Sequence, residues 1–203
     1  TSIKRTILAA ALVASGGGGA GTPDAAVNPP ECAPTAGPAA AVVTTTSGTL
    51  RGSRAGETFA FLRVPYAAPP VGELRYRAPA APTCPAAALD ATQLGPECPQ
   101  LDGDAFVGDE DCLHLNVWAP AAEAAPRPVM VWIHGGGNSQ GSAVLPLYDG
   151  RRLAETGDVI VVTINYRLGQ LGFLGHASFA VESPAGGQGT FGLLAQIAAL
   201  AWV

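Results

Sequence analysis

Hydrophobic positions in this chain gather into short dense runs, set apart by stretches rich in Gly, Pro and Ala. Val42 to Arg54 has the pattern of a hairpin around Ser47-Gly48, and a further strand is expected through Thr58–Val64. Residues 65–110 are dominated by prolines and glycines with little periodicity, which predicts a long irregular excursion. Three strand-like runs follow, Leu113–Trp118, Pro128–Ile133 and Asp158–Asn165, each rich in β-branched or aromatic residues. The last two contain Val-Met-Val-Trp-Ile and Val-Ile-Val-Val-Thr-Ile, nearly unbroken, as expected of strands buried on both faces of a sheet. Tyr148–Thr156 predicts a short helix between them, stopped by Gly157. Gly192–Val203 predicts another, with Leu193, Leu194, Ile197, Leu200 and Ala201 on one side. Strand, helix, strand, helix in this order favours an α/β sheet, whose ligand sites lie beyond the C-terminal ends of strands.

The beginning of the chain has a different character. Lys4-Arg5 precedes a short apolar run ending at Ala14, too short to span a bilayer, and glycines follow. Residues 1–15 therefore read as a secretory signal peptide and residues 16–40, rich in Gly, Pro and Ala, as a flexible linker before a domain over 41–203. Leu12-Val13-Ala14-Ser15 has the shape of a lipoprotein box with serine in place of the lipidated cysteine, so release is expected, not a stable membrane anchor. A secreted or periplasmic location follows.

Composition sharpens this picture in three places. With 203 residues, 48% hydrophobic and 13% charged, the chain can build a core and is not disordered in the main. A formal net charge of −5 argues against nucleic acid or an anionic membrane as the main partner. Four cysteines, Cys32, Cys84, Cys98 and Cys112, in an exported chain suggest disulfides, and spacing alone leaves all three pairings open. No C-x-x-C pair exists and the three histidines lack ligand spacing, so no metal is expected.

The chemistry lies at the end of the Pro128–Ile133 run, which leads directly into His134-Gly135-Gly136-Gly137. Consecutive glycines reach backbone conformations closed to other residues and let the main chain approach a bound group. Such a loop can aim two N–H groups at the oxygen that becomes negative when a nucleophile attacks an ester carbonyl. A glycine triplet alone is weak; directly after a buried strand and behind a histidine it fits an esterase oxyanion loop. His134 precedes the donors in the chain, so it reads as loop support, together with Gly135, and not as the general base. Gly137-Asn138-Ser139-Gln140-Gly141 also matches Gly-x-Ser-x-Gly, but Ser142-Ala143-Val144-Leu145-Pro146 opens no convincing helix, so Ser139 is rejected as a nucleophile.

Over roughly residues 41–203 the chain resembles the type-B carboxylesterase and cholinesterase family. The resemblance is carried by Val64–Gly72, Leu74-Arg75-Tyr76, Glu110–Trp118, Val131–Gly137, Asn165–Gly169, Gly172-Phe173-Leu174 and Gly192-Leu193-Leu194. It implies the N-terminal part of an α/β-hydrolase fold, a mixed, mostly parallel sheet with flanking helices, incomplete at its C-terminus. It also implies hydrolysis of a small-molecule ester through a serine acyl-enzyme, with a histidine base, a carboxylate orienter and no cofactor. By position, Gly136 and Gly137 would supply two oxyanion N–H donors, the third following the nucleophile. The resemblance further pairs Cys98 with Cys112, leaves Cys32 to Cys84, and joins Arg75 to Glu110 in a structural salt bridge. Oligomeric state is left open.

Departures from the family pattern are informative. Asn138 stands where an aromatic usually follows the glycines, and Ala195 replaces the aspartate expected to partner Arg167. An unpaired buried guanidinium would be costly, so Arg167 must find another acceptor or weaken its region. The Cys98–Cys112 loop holds no tryptophan, which favours a general ester over choline esters. The elbow serine, the acid and the histidine of the family have no counterpart in these residues, so no activity is expected of this chain alone. The alternatives are a cholinesterase-like binding or adhesion domain, and a non-functional truncation; the elbow residue separates catalysis from binding.

Overall fold

The computed structural model describes residues 41–45, 47–121, 126–180 and 189–203. The expected signal peptide and linker, 1–15 and 16–40, lie outside the described residues.

The first hairpin forms where the hydrophobic pattern predicts it. Strand β1 (Val42–Thr45) pairs antiparallel with β2 (Gly48–Arg51), placing Val43 opposite Leu50. Gly48, at φ 108°, lies at the reversal, and the Thr45 hydroxyl donates to its carbonyl at 3.0 Å. Next come β3 (Ser53–Ala55) and β4 (Thr58–Pro65), then three short pieces inside the expected irregular excursion: β5 (Leu89–Asp90), β6 (Gln100–Asp102) and β7 (Ala105–Val107). The remaining elements are β8 (His114–Pro120), β9 (Val129–Ile133), α1 (Arg151–Gly157), β10 (Ile160–Ile164), α2 (Gly169–Phe173), α3 (Ala177–Ala180) and α4 (Phe191–Trp202).

Five strands form the main sheet in the order β3-β4-β8-β10-β9. The architecture is a mixed α/β sheet, a partial α/β-hydrolase fold. The resemblance implied mostly parallel pairing; within this sheet β9 and β10 run parallel while β3–β4, β4–β8 and β8–β10 are antiparallel, and β2 pairs parallel with β5 in a separate small sheet. The reason lies in the connections. A parallel neighbour needs a crossover of a dozen or more residues, and the segment carrying α1 supplies it between β9 and β10. The register of β4 against β8 shifts between Phe61 and Val64, where Arg63 takes φ 55° and its N–H donates to the Asn116 side chain at 3.1 Å.

Side-chain alternation divides the core between the two faces. Trp118, Val161 and Ala60 pack with Ala154 of α1 on one side. Leu115, Val117, Val162 and Ile164 belong to the other, larger cluster with Ala195 and Ala199 of α4. Gly150 lets α1 lie close to the sheet, since a Cβ there would sit 2.6 Å from Val161 and 2.8 Å from Trp118. Helix α1 includes Gly157 instead of stopping before it. The left-handed residue at its end is Asp158, at φ 50°, whose carboxylate accepts from Arg127 at 2.6 Å.

Two burial expectations need correction. β10 is buried throughout, but β9 is an edge strand, and Met130 and Trp132 remain 47% and 44% exposed. A run of apolar residues cannot reveal whether a second neighbour covers it. Helix α4 likewise turns Leu193, Ile197 and Leu200 outward and buries Phe191, Gly192, Ala195 and Ala199. Close approach selects the small residues: a Cβ on Gly192 would overlap the Phe173 ring.

Candidate active site

The His134–Gly137 segment leaves the C-terminal end of β9, where a parallel pair opens toward its ligand side. His134 is buried, while Gly135 to Gln140 are exposed. Gly136 takes φ 114° and Gly137 φ 62°, followed by Asn138 at φ 61°. Asparagine is among the few side chains that tolerate this left-handed region, so the unusual residue after the triplet suits its backbone. Gly136 is required sterically as well, because a Cβ there would fall on the Gln140 carbonyl. The turn closes through Ser139 and Gln140, whose N–H groups both donate to the Gly136 carbonyl at 3.2 Å. Among the described residues the N–H groups of Gly136 and Gly137 donate to no protein acceptor. Two main-chain donors are thus exposed on adjacent residues of one tight turn.

The loop is anchored at its first residue. The His134 ring stacks on Tyr166, with centroids 4.6 Å apart, and the Tyr166 hydroxyl donates to the His134 carbonyl at 3.1 Å. Its Nδ1 lies 2.9 Å from the Gly135 carbonyl, which favours the tautomer carrying the proton there, and Nε2 is buried with no partner among the described residues. Burial pushes the imidazole below its ordinary pKa, with the Gly135 contact opposing. Burial therefore favours the neutral form of His134.

A buried polar network holds the loop's return limb. The Asn165 side chain accepts from the Ala143 N–H at 2.8 Å and donates to the Pro96 carbonyl at 3.0 Å. Asn116 donates to the Ala143 carbonyl at 3.3 Å and to Thr163 at 3.1 Å. Tyr66 donates to the Asn165 carbonyl at 2.7 Å. Gln100 bonds both main-chain groups of Gly141, at 2.7 and 2.9 Å. None of these polar residues carries a local sequence signal of its role; Tyr66, Asn116 and Asn165 fall in the stretches that bear the family resemblance, whereas Gln100 lies outside them.

Ser139 is exposed, and its hydroxyl donates to the Gly136 carbonyl at 3.0 Å. No helix follows it; the chain proceeds through turns to a 3₁₀ segment at Pro146–Tyr148. The strand-to-helix elbow that would present a nucleophile is therefore missing at this serine.

Arg75 grips Glu110 with two hydrogen bonds, one of 2.7 Å, and the Glu110 carboxylate raises the guanidinium pKa. Cys98 and Cys112 form a disulfide. Cys84 is disulfide-bonded as well, and its expected partner, Cys32, lies outside the described residues. Arg167, which the sequence left without an acidic partner, instead donates to the carbonyls of Arg77 at 2.7 Å and Phe191 at 3.0 Å. Its guanidinium carbon stands 5.5 Å from the Phe191 ring centre. Burial lowers its pKa to about 10, with Tyr66 opposing the shift. Carbonyl dipoles and a ring face thus replace a carboxylate.

Among the described residues no cluster of His, Cys, Asp or Glu is arranged to hold a metal, and no helix is long and apolar enough to cross a membrane.

Comparison with known proteins adds to this geometry. The sequence pattern of the Carboxylesterase family matches residues 39–203. Fumonisin B1 esterase of Sphingopyxis macrogoltabida is 46% identical over 165 residues, covering 78% of this chain and 30% of that protein. Para-nitrobenzyl esterase of Bacillus subtilis (strain 168) is 44% identical over 168 residues, covering 79% of this chain and 34% of that protein. The solved structure of a PNB esterase superposes with a TM-score of 0.74 at 45% identity, covering 81% of this chain and 34% of the other. The chain thus spans about a third of the length of these relatives.

Proposed function

The chain belongs to the Carboxylesterase family, and on that premise we propose that it forms the oxyanion-loop part of a serine-dependent carboxylic ester hydrolase. The observation that carries the reading is the pair of exposed main-chain donors at Gly136 and Gly137, presented by a closed turn at the end of β9. When a serine oxygen adds to the carbonyl carbon of a small ester, the carbonyl π electrons move to oxygen. Hydrogen bonds from the two N–H groups stabilise that oxyanion and the transition state leading to it. Removing one such donor typically costs about 2.7–4 kcal/mol. No metal or cofactor is needed for this step. The backbone strain that exposes the donors is confined to glycines and one asparagine, so it is compatible with a stable loop.

The nucleophile, acid and base are not supplied by residues 1–203, and Ser139 lacks the setting of an elbow. The purified chain is therefore inert toward p-nitrophenyl acetate. The test is a hydrolysis assay of wild type beside Ser139→Ala; turnover by the wild type that the substitution abolishes would overturn the assignment. Esterase homologues, among them the fumonisin B1 and para-nitrobenzyl enzymes, support an ester as the substrate class. The Cys98–Cys112 disulfide is in keeping with an oxidising compartment, and so supports secretion or a periplasmic location.

A further inference from the structure

Gly141 is the residue at which the glycine turn rejoins the body of the protein, and Gln100 captures both of its main-chain groups. The Gly141 N–H donates to Gln100 Oε1 at 2.7 Å, and Gln100 Nε2 donates to the Gly141 carbonyl at 2.9 Å. This is the two-bond exchange of an antiparallel pair, with a side-chain amide in place of a second strand, so it fixes both the position and the tilt of Gly141. The two hydrogens of the same Nε2 are shared with the Cys98 carbonyl at 3.1 Å and Glu97 Oε2 at 3.2 Å. Gln100 is buried, and it lies two residues from a cysteine tied to Cys112.

What Gly141 supports is the loop itself. At φ 113° it presses against its start, and a Cβ there would overlap the Gly135 carbonyl and His134 Nδ1. Gly136 in turn presses against Gln140, the residue before Gly141. The two ends of the turn therefore meet, and the N–H groups of Gly136 and Gly137 point where that closure puts them.

We propose that Gln100 is a positioning residue for the oxyanion donors: the disulfide fixes Gln100, Gln100 fixes Gly141, and Gly141 closes the turn that aims Gly136 and Gly137. The proposal rests on the oxyanion reading for its meaning, but its test uses no turnover. Amide hydrogen exchange and chemical shifts of the ¹⁵N-labelled 203-residue chain are measured for wild type, Gln100→Ala and Gln100→Met, the last keeping most of the volume without the amide. The expected result is Gly141 exchange faster by about tenfold or more, the scale of a lost hydrogen bond in a local opening equilibrium. The Gly136 and Gly137 resonances shift or broaden with it, while Val162 in β10 keeps its wild-type exchange. A freed Gly141 with unchanged Gly136 and Gly137 would overturn the proposal. So would global unfolding of both variants, since Gln100 would then serve the fold at large. Failure of the ester hydrolase assignment, by contrast, would appear only in activity measurements and leave these spectra as expected.

Discussion

Tyr166 holds His134 twice, through a ring stacked at 4.6 Å and a hydroxyl that donates to the His134 carbonyl at 3.1 Å. Both contacts act on the residue that joins β9 to the glycine turn, so the turn inherits its orientation from the strand after the crossover. The two contacts are separable by mutation. Tyr166→Phe keeps the stack and strands one carbonyl, with an expected loss of about 1 kcal/mol. Tyr166→Ala also empties a buried ring site and loses about 3–5 kcal/mol. Urea denaturation of the two variants checks the order, and equal losses would show that the ring contributes nothing beyond the hydroxyl.

The same imidazole makes stability depend on pH. Burial holds His134 below its ordinary value near 6.5, and burial does the same to His114, where Asp111 and Asp109 oppose the shift and Arg63 adds to it. A depressed folded-state pKa means that the unfolded chain binds more protons between that value and the ordinary one near 6.5. Stability is then complete above about pH 6.5 and declines as the pH falls below it toward the folded-state values. Denaturation midpoints at pH 7.5, 6.5 and 5.5 should fall in that order, and His134→Gln should flatten the decline. A midpoint that rises on acidification would contradict the sign.

The three glycines of the loop are not equivalent, and alanine substitutions should grade accordingly. A Cβ at Gly135 meets nothing within 4 Å and needs no positive φ, so Gly135→Ala should stay within about 0.5 kcal/mol of wild type. Gly137 is open in space but sits at φ 62°, which costs a side chain about 1–2 kcal/mol. Gly136 combines φ 114° with the Gln140 carbonyl, so Gly136→Ala must move the turn and should lose the most. Thermal melts of the three variants test the ranking; Gly135→Ala as the most damaging would refute it.

How much of this could be read in the sequence depended on whether the signal was local. The β-branched runs that became β8, β9 and β10 and the glycines after β9 declare themselves within a few residues. Gln100, Asn116 and Asn165 do not, because their loop partners lie 41, 27 and 22 residues away and no period in the chain records them. The buried face of α4 was hidden for a different reason. Its residues are apolar nearly all round, so only the closeness of Phe173, felt at Gly192, decides that alanines face the sheet. The fate of Arg167 was half legible: the missing acid at Ala195 was visible, whereas the carbonyls of Arg77 and Phe191 that stand in for it required the fold.

The exposed edge of the sheet yields the last prediction. β9 pairs only with β10 among the described strands, which leaves its outer main-chain groups open to another strand. On the α1 face, Met130 and Trp132 line an open groove of about 750 Å³ with Leu147, Tyr148 and Leu153, and Leu147 is 83% exposed. An unprotected edge beside an apolar surface of this kind promotes edge-to-edge association. The purified chain should therefore self-associate with rising concentration. Met130→Lys together with Trp132→Lys should shift it toward monomer, because both side chains already face water and the charges would have to be buried in an associated state. Sedimentation velocity over a concentration series measures this, and association unaltered by the two lysines would place the sticky surface elsewhere, with the outward leucines of α4 the next to test.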